Sequence, residues 1–334
     1  MTQVEDQAFV TLATNDTYCL GALVLAHSLR KVATSRKLVV LITSGVTTHM
    51  RSLLASVFDL IQEVNVMDSK DEENLALLTR PELGITFTKL NCWRLTQFTK
   101  CVFLDADTLV LHNCDELFDK KELSATADVG WPDCFNSGVF VFHPSNETYK
   151  DLVKFAVEQG SFDGGDQGLL NMFFRDWSTK DISFHLSFIY NMNSNASYTY
   201  LPAYKQFGKD VKIVHFLGSM KPWQYSYNPS TGDVQFGSEC QHVKEHLQYW
   251  WHLFIQFVHP HLQPECTGLA GQLSKMSVSS DQQEEGAASP YELALGGSHA
   301  RQFAWERGQI DYLGTDSFEN IKQKLDNAIN GSQN

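Results

Sequence analysis

No apolar run in this chain is long enough to cross a bilayer. The longest strongly apolar stretch, Leu247 to Val258, is interrupted by Gln248, His252 and Gln256 and falls short of the roughly 20 residues a spanning helix needs. The opening Met1-Thr2-Gln3-Val4-Glu5-Asp6 runs directly into a strand-like segment, which is not the pattern of a secretory leader. Cationic side chains are scarce: 26 Lys and Arg against 39 Asp and Glu leave a formal charge of -13, so a nucleic-acid surface is not expected. The seven cysteines are scattered without ligand spacing, and reduced thiols in the cytoplasm are the economical expectation. Asn15-Asp16-Thr17, Asn146-Glu147-Thr148 and Asn195-Ala196-Ser197 match the glycosylation pattern, but without secretion they count as chance matches. There is no G-x-G-x-x-G after the first strand and no G-x-x-x-x-G-K-[ST] anywhere, so dinucleotide and P-loop sites are poorly supported. No internal repeat is visible.

What remains is 334 residues with 43% hydrophobic and 12% aromatic side chains, enough for one substantial core plus a tail. Ala8 to Thr14, Lys37 to Ile42 and Leu60 to Val66 read as strands, and Thr47 to Phe58 as a helix. The apolar positions Leu20, Leu23, Val24 and Ala26 recur at helical spacing after Asn15-Asp16, a helix cap. Thr88 to Phe98 reads as a helix feeding the strand that ends at Asp105. Strand and helix thus alternate as in a doubly wound, mostly parallel α/β sheet. Beyond it the pattern is mixed, with strands expected over Leu109 to Leu111, Val139 to Phe142 and Val211 to Phe216. Helices are expected over Glu147 to Gln159, Asp166 to Phe174 and Leu247 to Phe257. From Gln263 the composition turns to Gly, Ser, Gln, Glu and Ala, which predicts a flexible linker. The expected organisation is a catalytic domain over 1–262, a linker over 263–302 and a terminal segment over 303–334. In the last, Asp316 and Glu319 start a helix whose Phe318, Ile321 and Leu325 share one face. Such a short helix cannot bury that face alone, so docking on a partner is its expected use.

Phe103-Leu104-Asp105-Ala106-Asp107 concentrates the chemistry: an apolar strand ends in two carboxylates one residue apart. Burying two unpaired anions is costly, and a divalent cation shared with a substrate diphosphate removes that cost. An Asp-x-Asp alone is a weak signal. Its place at a strand carboxyl end of a doubly wound sheet, where ligands collect, strengthens it. His215 ends another strand and offers nitrogen to Mg²⁺ or, better matched to imidazole, Mn²⁺. Gly218 would let the backbone approach, and Lys221 would neutralise a phosphate. Asp163-Gly164-Gly165-Asp166-Gln167-Gly168 is either a turn with Asp166 as helix cap, or a sugar site in which Asp163 and Asp166 hold hydroxyls. Asn136 could bind a further hydroxyl. Lys89 would meet a phosphate or snorkel to solvent. Tyr198 and Tyr200 lie in a polar run, Asn191 to Tyr200, read as an exposed loop.

Six stretches together carry a specific resemblance: Phe9 to Asp16, Arg80 to Gly84, Phe103 to Thr108, Gly130 to Gly138, Phe162 to Gly168, and Val214 to Gly218 with Lys221-Pro222-Trp223. The chain resembles the glycogenins, self-glucosylating primers of glycogen synthesis, over residues 7 to 230 and again at about 303 to 328. Cys19 and Ser219 to Trp223 lean towards the second of that family's paralogues. The resemblance implies a nucleotide-diphospho-sugar (GT-A) fold and retaining transfer from UDP-glucose with Mn²⁺ held by Asp105, Asp107 and His215. It puts Leu12, Thr14, Asn15, Tyr18 and Arg80 around the uridine, and Lys89 and Lys221 at the diphosphate. Asp128, Asn136, Asp163, Asp166 and Gln167 fall around the glucose, with Ala106, Ser137 and Gly218 also in the donor set. It further implies Asp166 and Lys221 as catalytic residues, Tyr198 as the first acceptor, growth of an α-1,4-linked chain, and a homodimer. Trp305, Tyr312, Phe318, Ile321 and Leu325 match the segment that recruits glycogen synthase. Two courses for retention stay open: internal return with the departing diphosphate as base, and double displacement through Asp166. Two rival functions also remain, a transferase acting on a separate acceptor and a silent scaffold.

Overall fold

β1 (Val4–Ala13) occupies the middle of the main sheet because its second half is buried on both faces, from Ala8 to Val10 and at Ala13. The computed structural model describes residues 4–77, 81–193, 201–235 and 241–277. All of them fall within one compact unit, Met1–Gln283. α1 (Asp16–Lys31) starts at Asn15, whose side chain accepts from the Tyr18 amide. β2 (Arg36–Ile42) pairs parallel with β1, and β3 (Leu60–Glu63) parallel with β2. Between them, α2 (Thr48–Ala55) is capped by Thr47. α3 (Glu72–Leu77) precedes a 3₁₀ segment, Pro81–Arg94.

β4 (Lys100–Leu104) pairs parallel with β1 on its other side. β5 (Thr108–Val110) leaves the sheet after the Asp-x-Asp. β6 (Ser124–Ala127) and β7 (Phe135–Phe142) complete an order β3-β2-β1-β4-β7-β6. Only β7 is reversed, being antiparallel to both β4 and β6. Every residue of β7 is buried, as a central strand covered on both faces requires. One covering layer is the 3₁₀ segment with α4 (Asn146–Gln159) and α5 (Asp166–Phe173), packed on Phe103, Phe135, Phe140 and Phe142. Trp93 stacks on Phe140 at 5.4 Å between centroids. The other layer includes α1.

The remaining elements build the second sheet and the flank of the site: β8 (Met192–Asn193), α6 (Leu201–Phe207), β9 (Ile213–His215), β10 (Tyr227–Asn228), β11 (Asp233–Val234), α7 (Gln241–Leu253) and α8 (Gly268–Leu273). β9 lies between β5 and β8, with Thr108 and Asn193 both in register with His215. That pairing carries a strand-end histidine to the Asp-x-Asp turn.

Several expected boundaries shift. The helix expected over Thr88 to Phe98 is a 3₁₀ segment that ends at Arg94, and the strand expected over Val211 to Phe216 is three residues long. The helix expected from Leu247 starts at Gln241 and passes into a π-helical turn, Phe254–Val258. The stretch from Gln263, expected as linker, contains α8. The Thr267 amide donates to Asp16 at 2.7 Å and the Leu269 amide to Thr17 Oγ1 at 3.3 Å, bonds that dock this small-residue segment on α1. The terminal segment with Trp305, Tyr312, Phe318, Ile321 and Leu325 lies outside the described residues.

Candidate active site

Asp105 and Asp107 emerge at the carboxyl end of β4, where the sheet's parallel strands open. The Asp105 amide donates to the Gly138 carbonyl at 2.9 Å and the Phe216 amide to the Asp107 carbonyl at 3.0 Å. The turn is thereby tied to β7 and β9. His215 Nε2 lies 3.3 Å from Asp107 Oδ1 and 3.9 Å from Asp105 Oδ2. Among the described residues, this trio is the one cluster of potential metal ligands, with its ligand atoms within 4.8 Å of one another. Two carboxylates and one imidazole form a donor set that suits a divalent ion such as Mn²⁺. His215 Nδ1 meets Asn191 Oδ1 at 2.9 Å. That bond leaves Nε2 facing the carboxylates, the orientation a ligating histidine needs.

Two buried lysines complete the cluster. Lys89 Nζ lies 2.9 Å from Asp105 Oδ1, 2.6 Å from Asp166 Oδ2 and 3.2 Å from the Ser137 carbonyl. Its side chain is 3% exposed, which overturns the snorkelling alternative. Burial opposes its charge, but the carboxylates of Asp105 and Asp166 outweigh it and hold the ammonium well above its usual range. Lys221 Nζ contacts Asp107 Oδ2. Burial likewise opposes ionisation of Asp107, yet Lys221 and His215 hold its carboxyl well below the usual range. Asp105, with 29% of its side chain exposed at the mouth, is pushed the other way by partial burial and by Asp107 and Asp166, against the pull of Lys89.

The 3₁₀ winding has a role in this arrangement. With three residues per turn, Thr86 and Lys89 fall on one edge. Thr86 Oγ1 accepts the Asp166 amide at 3.0 Å while Lys89 takes its carboxylate. Asp166 is therefore the first residue of α5, and the cap position belongs to Gly165, which corrects the reading of Asp166 as a cap. Asp163 serves the turn instead, accepting from Ser161 Oγ at 2.7 Å and the Gly165 amide at 2.8 Å. Burial raises its carboxyl pKa against those bonds.

A chain of amides links this end to His215. Asn191 Nδ2 donates to Asn136 Oδ1 at 2.9 Å, and Asn136 Nδ2 donates to Gln167 Oε1 at 3.1 Å. The Ser137 amide also donates to Gln167 Oε1, and Gln167 Nε2 donates to Asp128 Oδ2 at 2.5 Å. Leu12 lies at the end of β1 and Thr14 just past it, while Asn15 caps α1 and Tyr18 lies in its first turn. The Tyr18 ring meets Trp223 edge-on at 5.4 Å. Ala106, between the two aspartates, is buried. A Cβ on Gly218 would meet no protein atom within 4 Å. What Gly218 supplies is a backbone φ of +112°, a value that favours glycine. Arg80 and Tyr198 lie outside the described residues.

Asn191, Thr86, Gly138 and Gly21 are positioning residues that sequence reading missed. A Cβ on Gly138 would lie 2.1 Å from His215 Cε1, and one on Gly21 would lie 2.3 Å from the Ala106 carbonyl oxygen. The glycine in Phe135-Asn136-Ser137-Gly138 was the available signal for the first, and nothing local marked Asn191.

Residues 9–226 match the profile of glycosyl transferase family 8. Glycogenin-1 of Mus musculus is 53% identical over 337 residues, covering 97% of this chain and 99% of that protein. Glycogenin-2 of Homo sapiens is 62% identical over 260 residues, covering 77% of this chain and 52% of that protein. The glycosyltransferase GlyE of Streptococcus pneumoniae TIGR4 has a similar fold, with a TM-score of 0.51 at 18% identity over 81% of this chain and 62% of that one. With a family profile spanning most of the described chain and relatives aligned nearly end to end, this chain belongs to the glycogenins of glycosyl transferase family 8.

Proposed function

We propose that this protein transfers glucose from UDP-glucose to its own Tyr198, with retention at the anomeric carbon, and then extends an α-1,4-linked glucan primer. The observation that carries this reading is the convergence of Asp105, Asp107 and His215 with two buried lysines at the carboxyl end of the sheet. A divalent cation, Mn²⁺ in this reading, would be held by those three side chains and would supply Lewis-acid neutralisation of the leaving diphosphate.

The protein's own groups do the rest. Asn191 fixes the imidazole of His215. Lys89 clamps Asp105 and Asp166 together, so Asp166 presents a carboxylate of fixed direction to the glucose. Lys221, now on Asp107, would stabilise the leaving diphosphate. Leu12, Thr14, Asn15, Tyr18 and Arg80 would hold the uridine, and Asp128, Asn136, Asp163 and Gln167 the sugar. A tyrosine hydroxyl, with a pKa of about 10, must lose its proton as it attacks. In the internal-return course the departing diphosphate oxygen accepts that proton on the same face of the sugar.

In this reading the protein works as a cytoplasmic homodimer, and its 303–334 segment recruits glycogen synthase. The described cysteines are all free thiols, and among the described residues no helix is long and apolar enough to cross a membrane. Incubation with UDP-glucose and Mn²⁺ followed by intact-mass analysis tests the proposal. A ladder of added hexoses that Tyr198→Phe abolishes is expected. Glucose released or passed to a soluble acceptor, with the protein mass unchanged, would move the function to a separate acceptor.

A further inference from the structure

The loop between β6 and β7 exposes its largest side chain. Trp131 is 95% exposed, and Val129 on the same loop 66%. The loop is closed on itself, with the Asp128 amide donating to the Cys134 carbonyl at 2.8 Å and the Cys134 amide to the Pro132 carbonyl at 2.7 Å. It is also fixed to the site, because Asp128 Oδ2 accepts from Gln167 Nε2, and Gln167 Oε1 in turn accepts from Asn136 Nδ2 and the Ser137 amide. Phe162, on the turn that leads into Asp163 and α5, is 53% exposed. An exposed indole rimmed by polar groups is a recognition feature.

The local charge selects the ligand. Neither Ser124 to Phe142 nor Gly160 to Phe174 contains a lysine or arginine, whereas Asp128, Asp133, Asp163 and Asp166 all lie within them. An anionic ligand is disfavoured on this rim. A neutral polyhydroxyl chain suits it: carbohydrate rings offer apolar C–H faces to an aromatic surface and hydroxyls to carboxylates. We propose that Trp131, assisted by Phe162, is an acceptor subsite on which α-1,4-linked glucose units of the growing chain stack as they leave the transfer site. The assignment rests on the proposed function and deepens it by naming where the product chain lies.

The test is calorimetric titration of maltoheptaose into the full chain after amylase digestion of any attached glucan. The parent is expected to give a saturable isotherm, Trp131→Ala at least tenfold weaker binding, and Trp131→Phe binding within threefold of the parent. UDP-glucose hydrolysis should stay within twofold in both variants, while the hexose ladder of Trp131→Ala shortens. Equal maltoheptaose binding by parent and Trp131→Ala would overturn the subsite. So would a drop in oligomeric state of Trp131→Ala by light scattering with sugar binding unchanged, which would mark the loop as an interface between copies. Failure of the proposed function itself would read differently, as absent UDP-glucose turnover in the parent, with the titration still deciding whether Trp131 binds glucan.

Discussion

At the scale of single residues, the site depends on close approaches that leave no slack. Gly138 makes room for the His215 ring, and Gly138→Ala would require the imidazole or β7 to move. We expect this variant to stay folded but to lose at least tenfold in divalent-ion affinity, measured by Mn²⁺ titration. Unchanged Mn²⁺ affinity would remove His215 from the ligand set. Lys89 is held more stringently. Replacing it by Met leaves Asp105 and Asp166 without their shared cation, and breaking a buried pair costs about 3–5 kcal/mol. A loss of unfolding free energy of that size, read from urea denaturation, is expected for Lys89→Met, with a smaller loss for Asp166→Asn, which leaves Lys89 its bond to Asp105. The aspartates and His215 were legible in the sequence because charge interrupts apolar strands where a sheet must end. Asn191 was not legible. Its role depends on the pairing of β8 with β9, a register between segments about twenty residues apart that no local pattern fixes.

At the scale of elements, α1 is the hub. It meets α2 and α8 through Asp16, whose carboxylate accepts from the Thr47 amide, the Thr47 hydroxyl and the Thr267 amide. Truncation after Leu262 removes α8 and should cost about 2 kcal/mol, since it exposes apolar surface and one bond of a buried carboxylate. Truncation after Ser277 should cost little, and equal midpoints for the two truncations would return α8 to linker status. Composition hid this element: Gly268 to Leu273 has few large apolar side chains, and its docking rests on backbone amides. The 3₁₀ segment was likewise read as an ordinary helix, because three- and four-residue spacings overlap in a short apolar pattern. α1 also gives the fold an acid limit. His27 stacks on Phe257 at 4.8 Å, and burial, with His261 and Arg30 adding, lowers its pKa to about 4. The unfolded chain binds a proton near pH 6.5 that the native ring refuses, so this contribution is present above that pH and is lost as pH falls from 6.5 to 4. After allowance for partial exposure the loss is about 1 kcal/mol. His27→Gln should flatten the stability slope between pH 7 and 5, and an identical slope would clear His27 of the effect.

At the scale of the whole molecule, the alternation of strand and helix made the parallel half of the sheet readable from sequence. The reversal of β7 was not readable, since a fully buried apolar strand looks the same in either direction. That reversal brings Asn136, Ser137 and Gly138 to the same edge as the β4 aspartates, and it joins the expected sugar and metal regions into one site. Deleting Phe303 to Asn334 should weaken glycogen-synthase binding at least tenfold and leave the hexose ladder intact; an unaltered isotherm would refute the docking role.

The most direct test of the central claim, that Asp105, Asp107 and His215 hold the donor's leaving group through a divalent ion, is calorimetric titration of UDP-glucose into parent and Asp107→Ala protein, with Mn²⁺ and with chelator. The account predicts tight binding by the parent only with Mn²⁺, and weak binding by Asp107→Ala under both conditions. Equally tight, metal-independent binding by both proteins would contradict it.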